Sequence, residues 1–86
     1  MIFDRTHSFD KAFKHLPEDV KKIFLEKMEL MEKHFDHPSL RVKKIASADG
    51  IYEGSVNMHY RFTFQLIHGG ILLRNIGQHD PVLSHG

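Results

Sequence analysis

Apolar residues in the first half of the chain recur with a period near 3.6, and beyond residue 40 the period falls to two. Met1 to Arg5 reads as a short strand. Ser8 is placed to cap a short helix whose Phe9, Ala12, Phe13 and Leu16 share one face. Pro17 suits the first position of a second helix, where its missing N–H needs no partner, and Glu18 and Asp19 favour the first turn. Val20, Ile23, Phe24, Met28, Met31 and Phe35 then form an apolar stripe, with Lys21, Lys22, Glu26, Glu29 and Lys33 opposite. Lys33 and His34 fill the last turn and Pro38 ends the element.

After residue 40, Asp49-Gly50 signals a turn into a strand from Ile51 to Asn57. Residues 60–67 alternate, with Tyr60, Phe62, Phe64 and Leu66 on one side and Arg61, Thr63, Gln65 and Ile67 on the other. Gly69-Gly70 predicts a tight hairpin turn, with Ile71 to Ile76 returning as the next strand. The predicted fold is α+β: an N-terminal strand and a helical hairpin packed on one face of a small, mostly antiparallel β-sheet, the other face left open. With no repeat, low-complexity run or linker, residues 1–86 are expected to form one domain. A chain of this size buries roughly 60–65% of its unfolded surface, enough for one core.

The absence of cysteine excludes a disulfide framework, a thiolate zinc site and a thiol nucleophile. No apolar run has the length of a membrane span and no signal-peptide pattern opens the chain, so the expected address is the cytoplasm. Net charge is only +1, divided unevenly: residues 1–40 carry seven Lys/Arg against eight Asp/Glu, and residues 41–86 five against three. That bias is too weak to predict a nucleic-acid partner. The eight histidines change the picture more, because histidine as a class exchanges protons near neutral pH.

The hairpin decides which of them meet. A two-residue turn at Gly69-Gly70 sets Arg74 across from Gln65 and Tyr60 across from His79, and the alternation favours this register. A three-residue loop instead sets His59 across from His79. Gly77 is expected to break the strand and free His79 to turn either way. Both registers bring His59, Arg61 and His79 to one end of the sheet, near the cationic Arg41-Val42-Lys43-Lys44 segment. Such a cluster suits phosphodiester chemistry. RNA is cleaved when its own 2′-hydroxyl attacks the neighbouring phosphate, which requires two proton transfers and stabilisation of a phosphorane. Histidine serves the first need and a fixed guanidinium the second.

Four segments carry a family likeness: Leu40-Arg41-Val42-Lys43-Lys44-Ile45, Gly50-Ile51-Tyr52-Glu53, Tyr60-Arg61-Phe62-Thr63-Phe64 and Ile76-Gly77-Gln78-His79-Asp80. In this order, and with the preceding helices, the run from Leu40 through Leu83 resembles the RelE/ParE superfamily of bacterial toxin–antitoxin toxins. The Gly-x-His-Asp ending is similar to the RelE and YafQ-like ribonucleases, which cut messenger RNA, usually in the ribosomal A site. The resemblance implies a RelE-like fold, Arg61 as the phosphate-stabilising residue and His79 as the general acid/base. It also implies RNA contacts from Lys43 and Lys44, with His59 near a polar position used by some members and Arg41 adding to the cationic segment. It implies an mRNA substrate, the ribosome as the setting and a cognate antitoxin that covers the toxin in a hetero-oligomer. The chain departs from the pattern in being nearly neutral and in ending soon after His79, without the aromatic tail of some relatives. These departures bear on activity and ribosome binding rather than on fold.

Other roles compete at each position. His79 also suits a surface residue at a strand end, Arg61 an ion pair with Glu53, Lys43 and Lys44 a solvated cationic segment, and His59 a turn residue. His34 and His37 read as capping or exposed residues, and the Met28-Met31 pair as core. The alternative function is a non-enzymatic gyrase inhibitor of the ParE kind, or a degenerate inactive member. His59, His79 and Asp80 match no metal-ligand spacing, so no metal site and no cofactor are expected.

Overall fold

The computed structural model describes residues 1–79; the end of the family-like run, from Asp80 to Leu83, lies outside the described residues. Strand β1 (Ile2–Arg5) leads into helix α1 (His7–Lys14) and helix α2 (Glu18–Lys33). A single 3-10 turn (Pro38–Leu40) follows, then β2 (Lys43–Lys44), β3 (Ile51–Ser55), β4 (Tyr60–Ile67) and β5 (Gly70–Gln78). The five strands are ordered β1-β5-β4-β3-β2. β1 runs parallel to β5 and the remaining pairs are antiparallel. The two-residue β2 was not foreseen from the sequence. Its pairing, Lys43 with Glu53 and Lys44 with Tyr52, adds an edge strand beside the candidate chemistry.

The apolar stripes meet as the periodicity requires. Phe9 of α1 and Val20, Phe24, Met28 and Met31 of α2 are buried against Phe62, Phe64, Ile71, Leu73 and Ile76 of the sheet. Aromatic rings bind the layers: Phe24 stands edge-on to Phe62 with centroids 5.5 Å apart, and Phe62 stacks beside Phe64 at 5.7 Å. All of these sheet residues lie on one face. The opposite face carries Glu53, Arg61, Thr63, Asn75 and Gly77, and among the described residues the buried side chains of both helices pack on the other side.

Two helix starts differ from expectation by a residue or two. The cap of α1 is Thr6 rather than Ser8: its Oγ1 accepts from the Phe9 N–H at 3.1 Å and donates to the Arg74 carbonyl at 2.8 Å. A hydroxyl that closes a helix end while tying it to β5 outcompetes one that only caps. Pro17 occupies the cap position rather than the first helical one, with its carbonyl accepting from Lys21 N–H, and α2 begins at Glu18.

The hairpin register also differs. The turn is His68-Gly69, with Gly69 at φ +79°, and Gly70 belongs to the sheet, paired with Ile67. The cause lies on the far side of β5. A Cβ on Gly70 would stand 1.9 Å from the Ile2 carbonyl oxygen, so glycine here lets β1 dock. Gly70→Ala is expected to push β1 away at a cost of about 1–3 kcal/mol. The checks are a lower urea midpoint and lost amide protection at Ile2 and Thr6, which donate to the Gly69 and Leu73 carbonyls.

A bulge follows. Phe64 pairs with Leu73 but Thr63 pairs with Asn75, so Arg74 is the extra residue of β5. Gln65 therefore faces Leu72, not Arg74, although Arg74 Nη1 still reaches Gln65 Oε1 at 3.1 Å. The bulge shifts the far end of the hairpin by one. Tyr60 pairs with Gln78, and His79 N–H donates to the His59 carbonyl. The structure thus joins His59 to His79, as in the three-residue-loop register, through a different turn. Gly77 does not break the strand, which runs on to Gln78.

Candidate active site

On the open face a cleft of about 280 Å³ is lined by Arg41, Lys43, Glu53, Arg61 and His79. Each reaches it from a different element. Arg41 ends the 3-10 turn in a left-handed conformation, φ +50°, with its N–H donating to the Pro38 carbonyl at 3.1 Å. Lys43 and Glu53 are cross-strand partners on β2 and β3, and Arg61 lies diagonal to Glu53 on β4. His79 follows β5, held at its backbone by His59.

Glu53 Oε1 lies 3.8 Å from both Lys43 Nζ and Arg61 Nε. The Glu53 and Arg61 side chains are only 18% and 19% exposed, whereas Lys43 is 68% exposed. The charges of Glu53 and Arg61 are therefore weakly screened, while the Lys43 contact contributes little to stability. Arg61 is anchored further by the β3–β4 turn, where Nη1 donates to the carbonyls of Asn57, Met58 (3.3 Å) and Tyr60 (3.0 Å). That turn is itself fixed, because Asn57 Oδ1 accepts from the N–H groups of His59 and Tyr60, each at 2.9 Å. A guanidinium held this way is preorganised, since its orientation does not have to be found when an anion arrives.

Small residues flank Arg61 on both neighbouring strands. Gly77 is the cross-strand partner of Arg61, and a Cβ there would meet nothing within 4 Å. Ser55, across from Arg61 on the other side, is buried and donates to the Asn57 carbonyl at 3.0 Å.

Of the residues singled out from sequence, Arg41, Lys43, Arg61 and His79 line one cleft. Lys44 does not: it pairs with Tyr52 on the opposite face and borders a separate cavity formed with residues 45–51. His59 is exposed in the β3–β4 turn and meets His79 only through its carbonyl. The ion pair weighed as a competing role for Arg61 is present, and it makes Glu53 part of the site. The sequence held one signal for Glu53, a carboxylate on an otherwise polar-outward strand position, but β2 had to be known before Lys43 was its neighbour. Among the described residues no group of three or more His, Asp or Glu side chains is arranged to hold a metal ion. Among them, too, no helix is long and apolar enough to cross a membrane.

No family model and no curated protein matches the sequence. Solved structures do match its fold. A chain of the RelB–RelE antitoxin–toxin complex from Methanococcus jannaschii superposes with a TM-score of 0.70 at 18% identity, covering 95% of this chain and 96% of that chain. The YoeB dimer from Staphylococcus aureus gives 0.73 at 12% identity, covering 93% and 98%. The isolated RelE toxin of E. coli gives 0.70 at 16% identity, covering 98% and 92%. The chain therefore has the fold of the RelE-like toxins. The gyrase-inhibitor alternative of the ParE kind receives no support from these comparisons.

Proposed function

We propose that this chain is the toxin of a type II toxin–antitoxin system, an mRNA endoribonuclease that inhibits translation at the ribosome in the cytoplasm. The observation that carries the reading is the convergence of Arg41, Lys43, Arg61 and His79 in one cleft on the open face of a RelE-like sheet. Three cations and one histidine suit a phosphodiester, and the substrate's own 2′-hydroxyl supplies the nucleophile. O2′ attacks phosphorus, the P–O5′ bond breaks, and the products are a 2′,3′-cyclic phosphate and a 5′-hydroxyl.

In this reaction the preorganised Arg61 steadies the phosphorane, while Lys43 and Arg41 hold the phosphate. His79 is the general acid/base and protonates O5′ as it leaves; Glu53, the carboxylate lining the cleft, takes the 2′-hydroxyl proton. Lys44 and His59, outside the cleft, are assigned to flanking RNA. No cofactor enters this scheme. A cognate antitoxin covers the toxin in a hetero-oligomer, as the RelB–RelE and DinJ–YafQ complexes among the structural neighbours suggest.

The test is primer extension on mRNA after brief induction, with His79→Ala beside the parent. Discrete cuts are expected from the parent, and loss of one proton-transfer group is expected to slow cleavage by about 10²–10⁴-fold. Undiminished cuts in His79→Ala would remove that residue from the chemistry. A parent that neither cuts RNA nor arrests growth would make this chain an inactive member of the fold.

A further inference from the structure

Another cavity, about 240 Å³, lies at the end of α2 and is lined by Phe35, Asp36, His37, Pro38, Arg41 and Val42. It shares Arg41 with the candidate active site. One guanidinium thus borders both an anion-binding cleft and a small, largely apolar hollow. From this juxtaposition we infer that the hollow is a nucleobase subsite, which receives the base of a nucleotide next to the scissile phosphate. The inference rests on the ribonuclease reading and adds to it a determinant of which RNA sequence is cut.

The walls are suited to a planar heterocycle. Phe35 is half-buried and stands edge-on to Phe64, with centroids 6.0 Å apart and rings at 86°, which fixes the ring against the core. Pro38 and Val42 add apolar surface, and a stacked base needs only such faces for sequence-tolerant binding. Selectivity requires a polar edge, and His37 provides it. Ser39 N–H donates to His37 Nδ1 at 3.1 Å, with Ser39 Oγ at 3.0 Å from the same nitrogen. Because Nδ1 is the acceptor, the hydrogen bonds assign the ring proton to Nε2, which remains a donor. Asp36 supplies an acceptor for base N–H groups.

The subsite is also rigid. His37 caps the 3-10 turn, and the same turn sets Arg41 in its left-handed conformation through the Pro38 carbonyl. Left-handed φ is uncommon for a residue other than glycine and persists where the surroundings hold it. The element that positions the shared arginine is therefore the one that builds the base pocket. The cavity far exceeds the roughly 30 Å³ share of a single water and is on the scale of one ring system.

The experiment uses a short 2′-O-methyl RNA, which lacks the attacking hydroxyl, titrated into the full chain and followed by calorimetry. Abasic versions remove one base at a time on either side of the central phosphate. The expected result is that one abasic position weakens binding by about tenfold, the scale of a lost base stack. His37→Ala should cost a similar factor with the intact RNA and little more with that abasic RNA. His37→Asn keeps an acceptor for Ser39 N–H but removes the ring, so it should fold like the parent and still lose the preference. Equal affinity for intact and abasic RNAs overturns the subsite while leaving the cleavage reading intact. Failure to bind any of these RNAs, with the chain folded, also overturns the subsite, while the cleavage reading stands or falls on the primer-extension result.

Discussion

Arg61→Ala is expected to lower the single-turnover rate of RNA cleavage by about 10²–10³-fold, the usual loss when one preorganised donor to a developing anion is removed. The expectation follows from how Arg61 is held. Three main-chain carbonyls and Glu53 fix it at the cleft with 19% of its side chain exposed, so its field on a bound phosphate is weakly screened. Arg61→Lys keeps the charge but loses the planar fork, and should recover only part of the rate. The same contacts tie down the β3–β4 turn, so stability has to be measured alongside. Losing these charge-assisted bonds is expected to cost about 1.5–3 kcal/mol, with the Asn57 and Tyr60 carbonyls keeping Ser55 Oγ and the Val56 N–H as donors. A folded Arg61→Ala that cleaves at the parental rate would reduce Arg61 to the structural ion pair with Glu53.

The largest stability effect is expected at Phe62. Its side chain is fully buried and touches both layers, edge-on to Phe24 of α2 and stacked beside Phe64 of its own strand. It also covers Gly54, its cross-strand partner, where an added Cβ would lie 2.3 Å from the ring. Phe62→Ala should therefore cost about 3–5 kcal/mol. For a chain of this size that lowers Tm by on the order of 15–30 °C. A thermal melt followed by far-ultraviolet circular dichroism checks it. A shift of only a few degrees would mean that the layers collapse onto the cavity and that the core is far more plastic than its packing indicates. Because Phe62 and Arg61 are neighbours on opposite faces of β4, the variant should also lose activity at temperatures where the sheet begins to open.

Much of this architecture was legible in the residues. The stripe from Val20 to Met31 and the alternation of Tyr60 to Ile67 are strong periodic signals; the stripe is buried as expected, and on β4 Phe62 and Phe64 are buried while Leu66, near the hairpin turn, is 50% exposed. The cationic segment and Arg61 were visible as chemistry, and four of the six residues singled out line one cleft. What was missed has local physical causes. The helix cap moved from Ser8 to Thr6 because Thr6 also bonds to Arg74 of a strand sixty-eight residues away. The hairpin turn moved from Gly69-Gly70 to His68-Gly69 because β1 needs Gly70 bare. His37, read as a capping residue, does cap its turn, and in doing so becomes part of a cavity beside Arg41.

Local periodicity and composition determined the two helices and the four longer strands of this protein, the apolar face of each helix, and the α+β class. They do so because burial of a stripe or an alternating face is a property of neighbouring residues. Tertiary structure alone decided the partners across strands: the Arg74 bulge that sets the far end of the hairpin, the β2 edge that brings Lys43 to Glu53, and the cleft shared by Arg41, Arg61 and His79. A single-residue shift in register changes which side chains face one another. That register is set by contacts between segments far apart in the chain, which a sequence pattern does not record.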